Sequence, residues 1–469
     1  MRYFRAINKK RTEMNIKTKY VGIILFICIG LRLIFFGFVQ PWTPEVETQV
    51  ILQFDAHLYH QLASTLIESH RFAYSSTGPP EALRTPLYPL LIAGFYLLFG
   101  HKPWIVLLVQ ILIDTLSCFL LLLTLSRLFD QRVALISSLF YALDPFLISH
   151  SSKLLSDVLF IFLLVAAFYL FSVAITAKSH RTALLSYGIS SLFMGIATLV
   201  RPISQYIPLI LVVFFFIYYR RLKDIIKYSI LCLFVFVLML SPWFIRNYNT
   251  FGSFSLSTSG PYNLLVLNVV PMEMARRKQD ALTVRCDLLG EAEKMIIADG
   301  KEPQKLNQFQ RAEYWQRLAI KYITSDPFRF GQFYFLGIFH SFASLGTSTY
   351  AHMLRLPMTT SNMKGYANIF DLVKAFFREK GTTGLVIAGI IAPYLLISYL
   401  GLVVGLFISW KQYNKGPLLF CLLLALYFIA IPGAGGHARF KLPSLPFYIP
   451  FVGIGINYFY ERVRYGRKP

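Results

Sequence analysis

Long apolar runs recur along this chain and constrain its fold more than any other feature. Each covers about 17 to 25 residues, enough to cross roughly 30 Å of hydrocarbon as a helix. Hydrophobic residues make up 56% of the 469 residues and charged residues 15%, which is not the composition of a soluble domain. The sequence therefore predicts an all-α polytopic membrane helix bundle. The ten predicted spans lie near 20–39, 103–126, 133–150, 154–176, 183–200, 204–219, 227–245, 385–408, 416–432 and 443–460.

Lysine and arginine outnumber aspartate and glutamate by 46 to 23. In a compact soluble protein this excess would favour nucleic acid as a partner. Here the cations cluster in short segments between the apolar runs, where they contact lipid headgroups and set topology. We therefore predict membrane lipids as partners and no nucleic acid. If the ten spans alternate, the basic loops share one side, which predicts a multi-pass protein of the inner (plasma) membrane with both termini cytoplasmic.

This topology divides the chain into three parts. Residues 1–245 form an N-terminal transmembrane catalytic module that includes an exported loop at 40–102, residues 246–384 form an exported helical region, and residues 385–469 form the C-terminal transmembrane helices. The apolar segment 328–345 is read as an interfacial helix, because a span there would export the basic C-terminus.

Two shorter stretches of the exported parts are predicted to be helical without crossing the membrane. Leu87–Phe99 is apolar but short for a span, and we expect an interfacial helix there. Residues 262–327 are amphipathic and are expected to form a small helical subdomain. Within the spans, Arg32 and Asp114 are expected to be helix-packing pairs or water-linked groups, because a charge in hydrocarbon normally needs a partner, and a proton pathway is the alternative.

Ionisable side chains gather at the exported ends of the spans, where each is costly and suggests a function. Basic residues are disfavoured on that side, so their presence predicts an anionic partner, and a lipid-linked phosphate fits best. Carboxylates beside them would accept a proton from an acceptor hydroxyl, which is the chemistry of glycosyl transfer. The candidate catalytic residues are Asp55 and Asp157. The candidate substrate-binding residues are Tyr59, Arg84, Tyr88, Arg201, Arg246, His437, Arg439 and Lys441.

Motifs around these residues resemble the membrane-embedded glycosyltransferases of the GT-C superfamily, in particular the branch with protein O-mannosyltransferases and the lipid A aminoarabinose transferase. The resemblance implies a sugar donor linked to a polyprenyl monophosphate and an inverting transfer. The acceptor hydroxyl belongs to a glycan, a lipid or a protein. The matching pieces are Asp55 with Tyr59 and Ala63, Arg84-Thr85-Pro86-Leu87-Tyr88-Pro89, Ser156-Asp157, Pro242-Trp243 with Arg246-Asn247-Tyr248 and Phe251-Gly252, and Arg439-Phe440 with Pro443 and Pro446.

Carried over to this sequence, the resemblance implies that Asp55 is the general base and that Asp157 is a second acidic group near the site. It implies that Arg84 and the Arg439/Lys441 turn bind the donor phosphate. Many relatives have a second acid directly after the loop aspartate, whereas this chain has Ala56. No cofactor is firmly predicted, and a divalent metal stays open.

Simpler roles remain open for several of these residues. Asp55 could cap the helix that begins beside it, and Asp157 could form a structural pair with Arg201 or Lys153. The arginines could extend to lipid headgroups without touching a substrate. His57 and His60 could hold a metal, although no third ligand is evident.

Three other functions compete with glycosyl transfer from a monophosphate donor. Paired arginines in a long exported loop would favour a polyprenyl-linked glycan polymerase or ligase, and Arg276-Arg277 is a faint indication of such a pair. A lipid-linked sugar flippase would need ionisable groups distributed through the middle of the membrane. A scaffold without catalytic activity would tolerate the loss of Asp55.

Overall fold

The computed structural model describes residues 18–357 and 381–466, which form helices joined by turns, with no strand among them. The predicted all-α membrane fold is confirmed. The helices of seven or more residues are α1 (Thr18–Val39), α2 (Asp55–Ser69), α3 (Leu87–Phe99), α4 (Pro103–Leu128), α5 (Gln131–Leu143), α6 (Pro145–Ser151), α7 (Asp157–Thr176), α8 (His180–Val200), α9 (Ile207–Tyr218), α10 (Leu222–Phe251), α11 (Val270–Arg277), α12 (Ala281–Ala298), α13 (Gln308–Ser325), α14 (Pro327–Ala343), α15 (Thr347–Met353), α16 (Gly381–Gln412), α17 (Lys415–Ala430) and α18 (Leu445–Tyr465).

Short helical turns connect these helices. Pro44–Val46 and Ser259–Asn263 are α-helical, Glu47–Ile51 and Leu264–Val269 are π-helical, and Pro202–Ser204, Pro303–Lys305, Gly433–Gly435 and Ala438–Ser444 are 3₁₀ turns.

Every one of the ten predicted spans falls on a helix, but length and composition support fewer crossings. Within the described residues, α1, α4, α7, α8, α10 and α16 are long and apolar enough to span a bilayer. Helices α5 and α6 add a seventh span if the 52° bend between them lies within one crossing. Helices α9 and α17 are apolar but have only 12 and 16 residues, and α18 is not among the six.

Glycines bring α16 and α18 into close contact. A Cβ on Gly405 would lie 1.8 Å from the carbonyl oxygen of Phe451, and a Cβ on Gly455 would lie 1.9 Å from that of Gly401. Small residues allow two membrane helices to approach at backbone distance, where dispersion contacts are dense. This contact holds α18, and therefore the turn that precedes it, against the bundle.

A buried ion pair joins α1 to α4. Arg32 Nε lies 2.5 Å from Asp114 Oδ2, and both side chains are fully buried. Tyr141 donates to the other carboxylate oxygen at 2.7 Å, and a second guanidinium nitrogen of Arg32 donates to the carbonyl oxygen of Ala142. The pairing predicted from the sequence is confirmed, and these contacts account for both charges as helix packing.

The helices between α10 and α14 contain a second hydrophobic core, separate from that of the bundle. It joins α11, α12 and α13 through buried side chains such as Val270, Leu288 and Leu318. Helix α14 follows them and is not among the candidate spans. It packs against the turns at 433–435 and 438–444 that lead into α18.

A pair of alanine substitutions in α16 tests the close contact with α18. We expect Gly405→Ala to lower the free energy of unfolding by about 1–3 kcal/mol, because the added methyl group would overlap the backbone of α18. Gly389→Ala is the matched control, since nothing lies within 4 Å of its Cβ position. It should be neutral or stabilising by up to about 1 kcal/mol. Equal midpoints for both variants, measured by thermal unfolding in detergent, would contradict the packing argument.

The native cysteines offer a test of the predicted topology. Cys286 on α12 is exposed, whereas Cys28, Cys118, Cys232 and Cys421 are buried. If α12 lies on the exported side, a membrane-impermeant maleimide should label right-side-out sealed membranes at one site per chain. Cys286→Ser should abolish that labelling. Labelling confined to inside-out vesicles would place the helix in the cytoplasm and invert the topology.

Candidate active site

Five charged side chains form one continuous network in which arginine and aspartate alternate. Arg84 Nη2 lies 2.5 Å from Asp55 Oδ1, and Arg439 Nη1 lies 3.1 Å from Asp55 Oδ2. Arg439 also reaches Asp157, with 2.8 Å between Nε and Oδ2, and the remaining carboxylate oxygen of Asp157 pairs with Arg201. The structure therefore brings together both predicted catalytic residues and three of the predicted arginines.

Each member of the network comes from a different part of the fold. Asp55 is the first residue of α2, and Arg84 lies in the loop before α3. Asp157 begins α7, Arg201 follows the end of α8, and Arg439 lies in the 3₁₀ turn before α18. Stretches of sequence up to 384 residues apart thus meet at one point.

The local backbone directs the Asp55 carboxylate away from the helix it begins. The preceding residue, Phe54, has φ +53° and ψ −126°, a conformation that costs a residue with a side chain roughly 1–3 kcal/mol. Both carboxylate oxygens of Asp55 bind arginine and cap no backbone amide. The alternative role of Asp55 as a helix cap is therefore not what the structure contains.

Burial and charge act in opposite directions on Asp55. Burial alone raises the pKa of its carboxyl group, but the guanidinium groups of Arg84 and Arg439 outweigh burial, so that the pKa lies below its ordinary value. Asp55 is thus held as an acceptor-only carboxylate with its side chain 36% exposed. Asp157 is only 1% exposed and has an arginine on each oxygen.

Two predicted tyrosines line the same site. The Arg84 guanidinium carbon lies 5.2 Å from the centroid of the Tyr59 ring, and Tyr59 packs edge-to-face on Tyr88 with centroids 4.8 Å apart. Tyr59 Oη and Ser156 Oγ are 3.3 Å apart, beside Asp157. Tyr88 donates to Gln110 Oε1 at 2.6 Å, so its hydroxyl is used within the bundle.

His437 orients the turn that carries Arg439. Its Nδ1 accepts the backbone N–H of Arg439 at 3.1 Å, which requires an unprotonated nitrogen. Burial, with Arg439 nearby, lowers the pKa of His437 to about 4, so the ring is neutral at pH 7 and remains an acceptor. His437 acts here on backbone geometry.

Arg246 is not in contact with the network. Its Nη1 donates to the carbonyl oxygen of Glu81 at 2.9 Å, and its guanidinium carbon lies 4.7 Å from the Trp243 ring centroid, with Phe72 and Phe251 also in range. These contacts join the end of α10 to the loop between α2 and α3.

Lys441 also lies apart from the carboxylates, although it is two residues from Arg439. Its Nζ sits 3.7 Å from the centroid of the Phe146 ring and 3.3 Å from Tyr399 Oη. Burial lowers the pKa of Lys441 to about 7.

An open groove of about 410 Å³ adjoins the loop that contains Arg84. Leu66, Phe72, Pro86 and Leu90 supply apolar walls, and Arg71 and Arg246 supply charge. The groove lies between α2, α3 and the end of α10.

The site does not fit a metal ion well. Both oxygens of Asp55 and of Asp157 bind guanidinium groups, and three arginines would repel a divalent cation. His60 Nδ1 lies 2.9 Å from Tyr96 Oη, away from Asp55. Across residues 18–357 and 381–466, no group of three or more histidine, cysteine or acidic side chains has the spacing of a metal site.

Comparison with known proteins places this arrangement in a wider context. A family model described as dolichyl-phosphate-mannose-protein mannosyltransferase matches residues 83–245. The oligosaccharyltransferase of Archaeoglobus fulgidus in the apo form matches 96% of this chain and 51% of its own, at 15% identity and a TM-score of 0.55. AglB from the same organism, in complex with an inhibitory peptide and a dolichol-phosphate, matches 96% of this chain and 52% of its own, at 15% identity and 0.54. The predicted GT-C resemblance is confirmed.

Two further findings delimit that result. ArnT from Cupriavidus metallidurans bound to undecaprenyl phosphate matches 95% of this chain and 79% of its own at 14% identity, but its TM-score of 0.43 is too low to support an argument. No curated protein sequence matches the chain. The chain spans about half the length of the archaeal structures. At 15% identity, the likeness to them is one of fold.

Residues that the sequence analysis did not single out hold the Arg439 turn in place. A Cβ on Gly337 of α14 would lie 2.3 Å from the carbonyl oxygen of Gly433, so helix and turn touch at backbone distance. Asn268 accepts the backbone N–H of Ala434 at 3.0 Å, and His340 binds the carbonyl oxygen of Gly436. The glycine-rich run 433–436 was the available signal, because closely packed backbone requires small residues.

Two alanine substitutions in α14 test whether this contact positions Arg439. We expect Gly337→Ala to displace the 433–436 turn and lower the catalytic rate tenfold or more, because a shift near 1 Å can cost about 100-fold. Gly331→Ala, with nothing within 4 Å of its Cβ position, should leave the rate unchanged. Rates are compared at equal folded fraction. Full activity of Gly337→Ala would show that activity does not depend on the position of the 433–436 turn.

Proposed function

We propose that this protein is an integral membrane glycosyltransferase that moves a sugar from a polyprenyl-phosphate donor to an acceptor hydroxyl on the exported face of the membrane. The observation that carries the proposal is the alternating network of Arg84, Asp55, Arg439, Asp157 and Arg201. It combines a partly exposed carboxylate with guanidinium groups that match phosphate oxygens. The matching mannosyltransferase family model and the AglB structure with dolichol-phosphate support this donor class.

The proposed reaction is a direct displacement at the anomeric carbon. The acceptor oxygen forms a bond to that carbon as the bond from carbon to phosphate oxygen breaks. Asp55 takes the hydroxyl proton, and polyprenyl phosphate leaves with the electron pair of the broken bond. Arg84 and Arg439 stabilise the charge that develops on the leaving phosphate. One displacement inverts the configuration of the sugar.

Donor binding would also activate the base. In the free protein, Arg84 and Arg439 hold Asp55 ionised and lower its pKa, which makes it a weak proton acceptor. A donor phosphate competes for the same two guanidinium groups. As they turn from carboxylate to phosphate, the pKa of Asp55 rises towards its ordinary value and the carboxylate becomes a better base. Asp157, fixed by Arg201, keeps Arg439 in place during this exchange.

The groove beside Arg84 supplies a path for the prenyl tail. Leu66 and Leu90 line it together with Pro86, which is two residues from Arg84. A tail in this groove would place its phosphate near the arginine. Tyr59 and Tyr88 form the aromatic surface next to the same residue, where a sugar ring would stack.

Transfer of a whole glycan from a polyprenyl pyrophosphate is a second candidate, because the archaeal structures with the same fold are oligosaccharyltransferases. The paired arginines do not support it. Arg277 Nε lies 2.9 Å from Glu273 and Arg276 Nε 3.4 Å from it, so both have partners within the exported helices. A flippase gains no support from the deep Arg32–Asp114 pair, whose two charges offset one another. To distinguish the two reactions, purified protein is incubated in parallel with a polyprenyl-monophosphate sugar and with a polyprenyl-pyrophosphate glycan. The donor that is consumed identifies the reaction.

Substitution of the proposed base tests the mechanism. We expect Asp55→Asn to lower the release of polyprenyl phosphate from a polyprenyl-phosphate sugar by about 10²–10⁴-fold, the usual contribution of a general base. Asp299→Asn, which removes a solvent-exposed carboxylate from the exported helices, is the control and should turn over normally. Full turnover by Asp55→Asn would exclude Asp55 as the base.

The acid limb of the pH profile tests the arginine contacts. Because Arg84 and Arg439 lower the pKa of Asp55, kcat/KM should fall only below the ordinary range of a carboxyl group. Arg84→Ala removes one of these cations, raises the pKa of Asp55 and should move the acid limb to higher pH. Arg84→Lys should largely restore the original limb. An acid limb at the same pH in all three proteins would show that Asp55 does not control the rate.

A further inference from the structure

Lys153 lies beside the network and has no carboxylate partner. It occupies the short loop between α6 and α7, four residues before Asp157. Among the hydrogen bonds and ion pairs of the described residues, none involves its ammonium group. Arg84, Arg201 and Arg439, by contrast, each bind at least one aspartate. An entering anion would have to displace a carboxylate from each arginine but not from Lys153.

A buried hydroxyl without a partner belongs to the residue next to this lysine. Ser152 is fully buried, and its Oγ has no hydrogen-bond partner within the described residues. Leaving such an atom unsatisfied costs about 1–3 kcal/mol, and a hydroxyl can donate to an anion, so it indicates a missing ligand. His150 Nε2 is also unpartnered, but Nδ1 of the neutral ring donates to the carbonyl oxygen of Phe146, so Nε2 is an acceptor and does not bind an anion.

The backbone of this segment is fixed to the aromatic wall of the site. Gln110 Nε2 donates to the carbonyl oxygens of Lys153 at 2.8 Å and of Ser151 at 3.3 Å. Its Oε1 accepts the hydroxyl of Tyr88, which packs against Tyr59. The loop therefore has a defined position relative to the proposed sugar surface.

We propose that Lys153, with Ser152, forms an anion subsite that binds the phosphate of the polyprenyl-phosphate donor. This inference rests on the proposed function and names the residue that first receives the donor's charge. The predicted role of Lys441 in the same task is harder to reconcile with its contacts, because its ammonium group faces Phe146 and Tyr399. Lys153 supplies an available cation within electrostatic range of Arg439 and Asp157.

The charge balance favours an anion at this place. The network contains three arginines and two aspartates, a net charge of +1, to which a protonated Lys153 adds one more. A phosphodiester carries one negative charge and offsets the added cation. A neutral sugar hydroxyl would leave the added charge of Lys153 without compensation.

Lys153 also titrates in an accessible range. Burial, followed by the positive charge of Arg439, lowers the pKa of Lys153 to about 8, against the opposing effect of Asp157. The other titratable groups that interact with it are His150, His352 and His437. Since only the protonated amine attracts an anion, phosphate affinity should fall as pH rises through about 8. The second ionisation of a phosphate monoester, with a pKa of about 6, is already complete there and does not produce that fall.

Binding of undecaprenyl phosphate, compared with undecaprenol in the same detergent, measures the phosphate contribution directly. We expect wild-type protein to prefer the phosphate and this preference to weaken as pH rises above 8. Lys153→Met should weaken phosphate binding roughly ten- to hundredfold and abolish the pH dependence, with undecaprenol binding unchanged. Lys153→Arg should restore affinity and remain insensitive to pH. Lys305→Met, which removes an exposed lysine from the exported region, should behave as wild type.

The possible results separate this inference from the proposed function. If wild-type protein does not prefer phosphate over alcohol, the proposed donor class is wrong. If it does, and Lys153→Met keeps the same affinity and pH profile, the subsite is overturned while the glycosyltransferase proposal stands. Should Lys153→Met fail to fold, Lys153→Arg decides alone, because an unchanged fall near pH 8 in that variant would exclude Lys153 as its source.

Discussion

The alternating contacts of arginine and aspartate in the candidate site are the interaction on which its architecture depends. A buried charge without a partner has a high desolvation cost. Removing one member of a buried pair therefore leaves the other charge uncompensated. Asp157, at 1% exposure, is stable as an anion because an arginine binds each of its oxygens. The same contacts connect α2, α7, α8 and the turn before α18, so one network fixes the relative positions of helices that are distant in sequence.

The network also links the site to α14 and to the π-helical turn 264–269. The turn that contains Arg439 lies against them through the Gly337–Gly433 contact and the bond from Ala434 to Asn268. A small movement of α14 would therefore reach the guanidinium group directly, through backbone that has no space to absorb it.

The sequence was sufficient for the helices and for the core of the site, but not for the direction of every side chain. Long apolar runs predicted the position of each membrane helix, and the alternation of loops predicted that Asp55, Arg84 and Arg439 would meet. No sequence pattern could show that Arg439 joins the network and that Lys441 does not. Both lie in one 3₁₀ turn, where side chains two positions apart point towards different neighbours. Arg246 was likewise indistinguishable by type, and only the folded chain reveals its aromatic surroundings. The sequence predicted ten spans, whereas six or seven helices of the described residues are long and apolar enough to cross a membrane. Bent helices and short helices have the same apolar sequence as full spans, so the sequence alone does not distinguish them.

The position of Arg439 near the C-terminus has a consequence for biogenesis. Four members of the network, Asp55, Arg84, Asp157 and Arg201, are synthesised and inserted more than 200 residues before the fifth. Until then the two acids are matched by two arginines, and Lys153 supplies the excess positive charge beside them. The turn at 438–444 then adds the third arginine, which binds both aspartates, so the complete network exists only once this late segment has folded against the bundle.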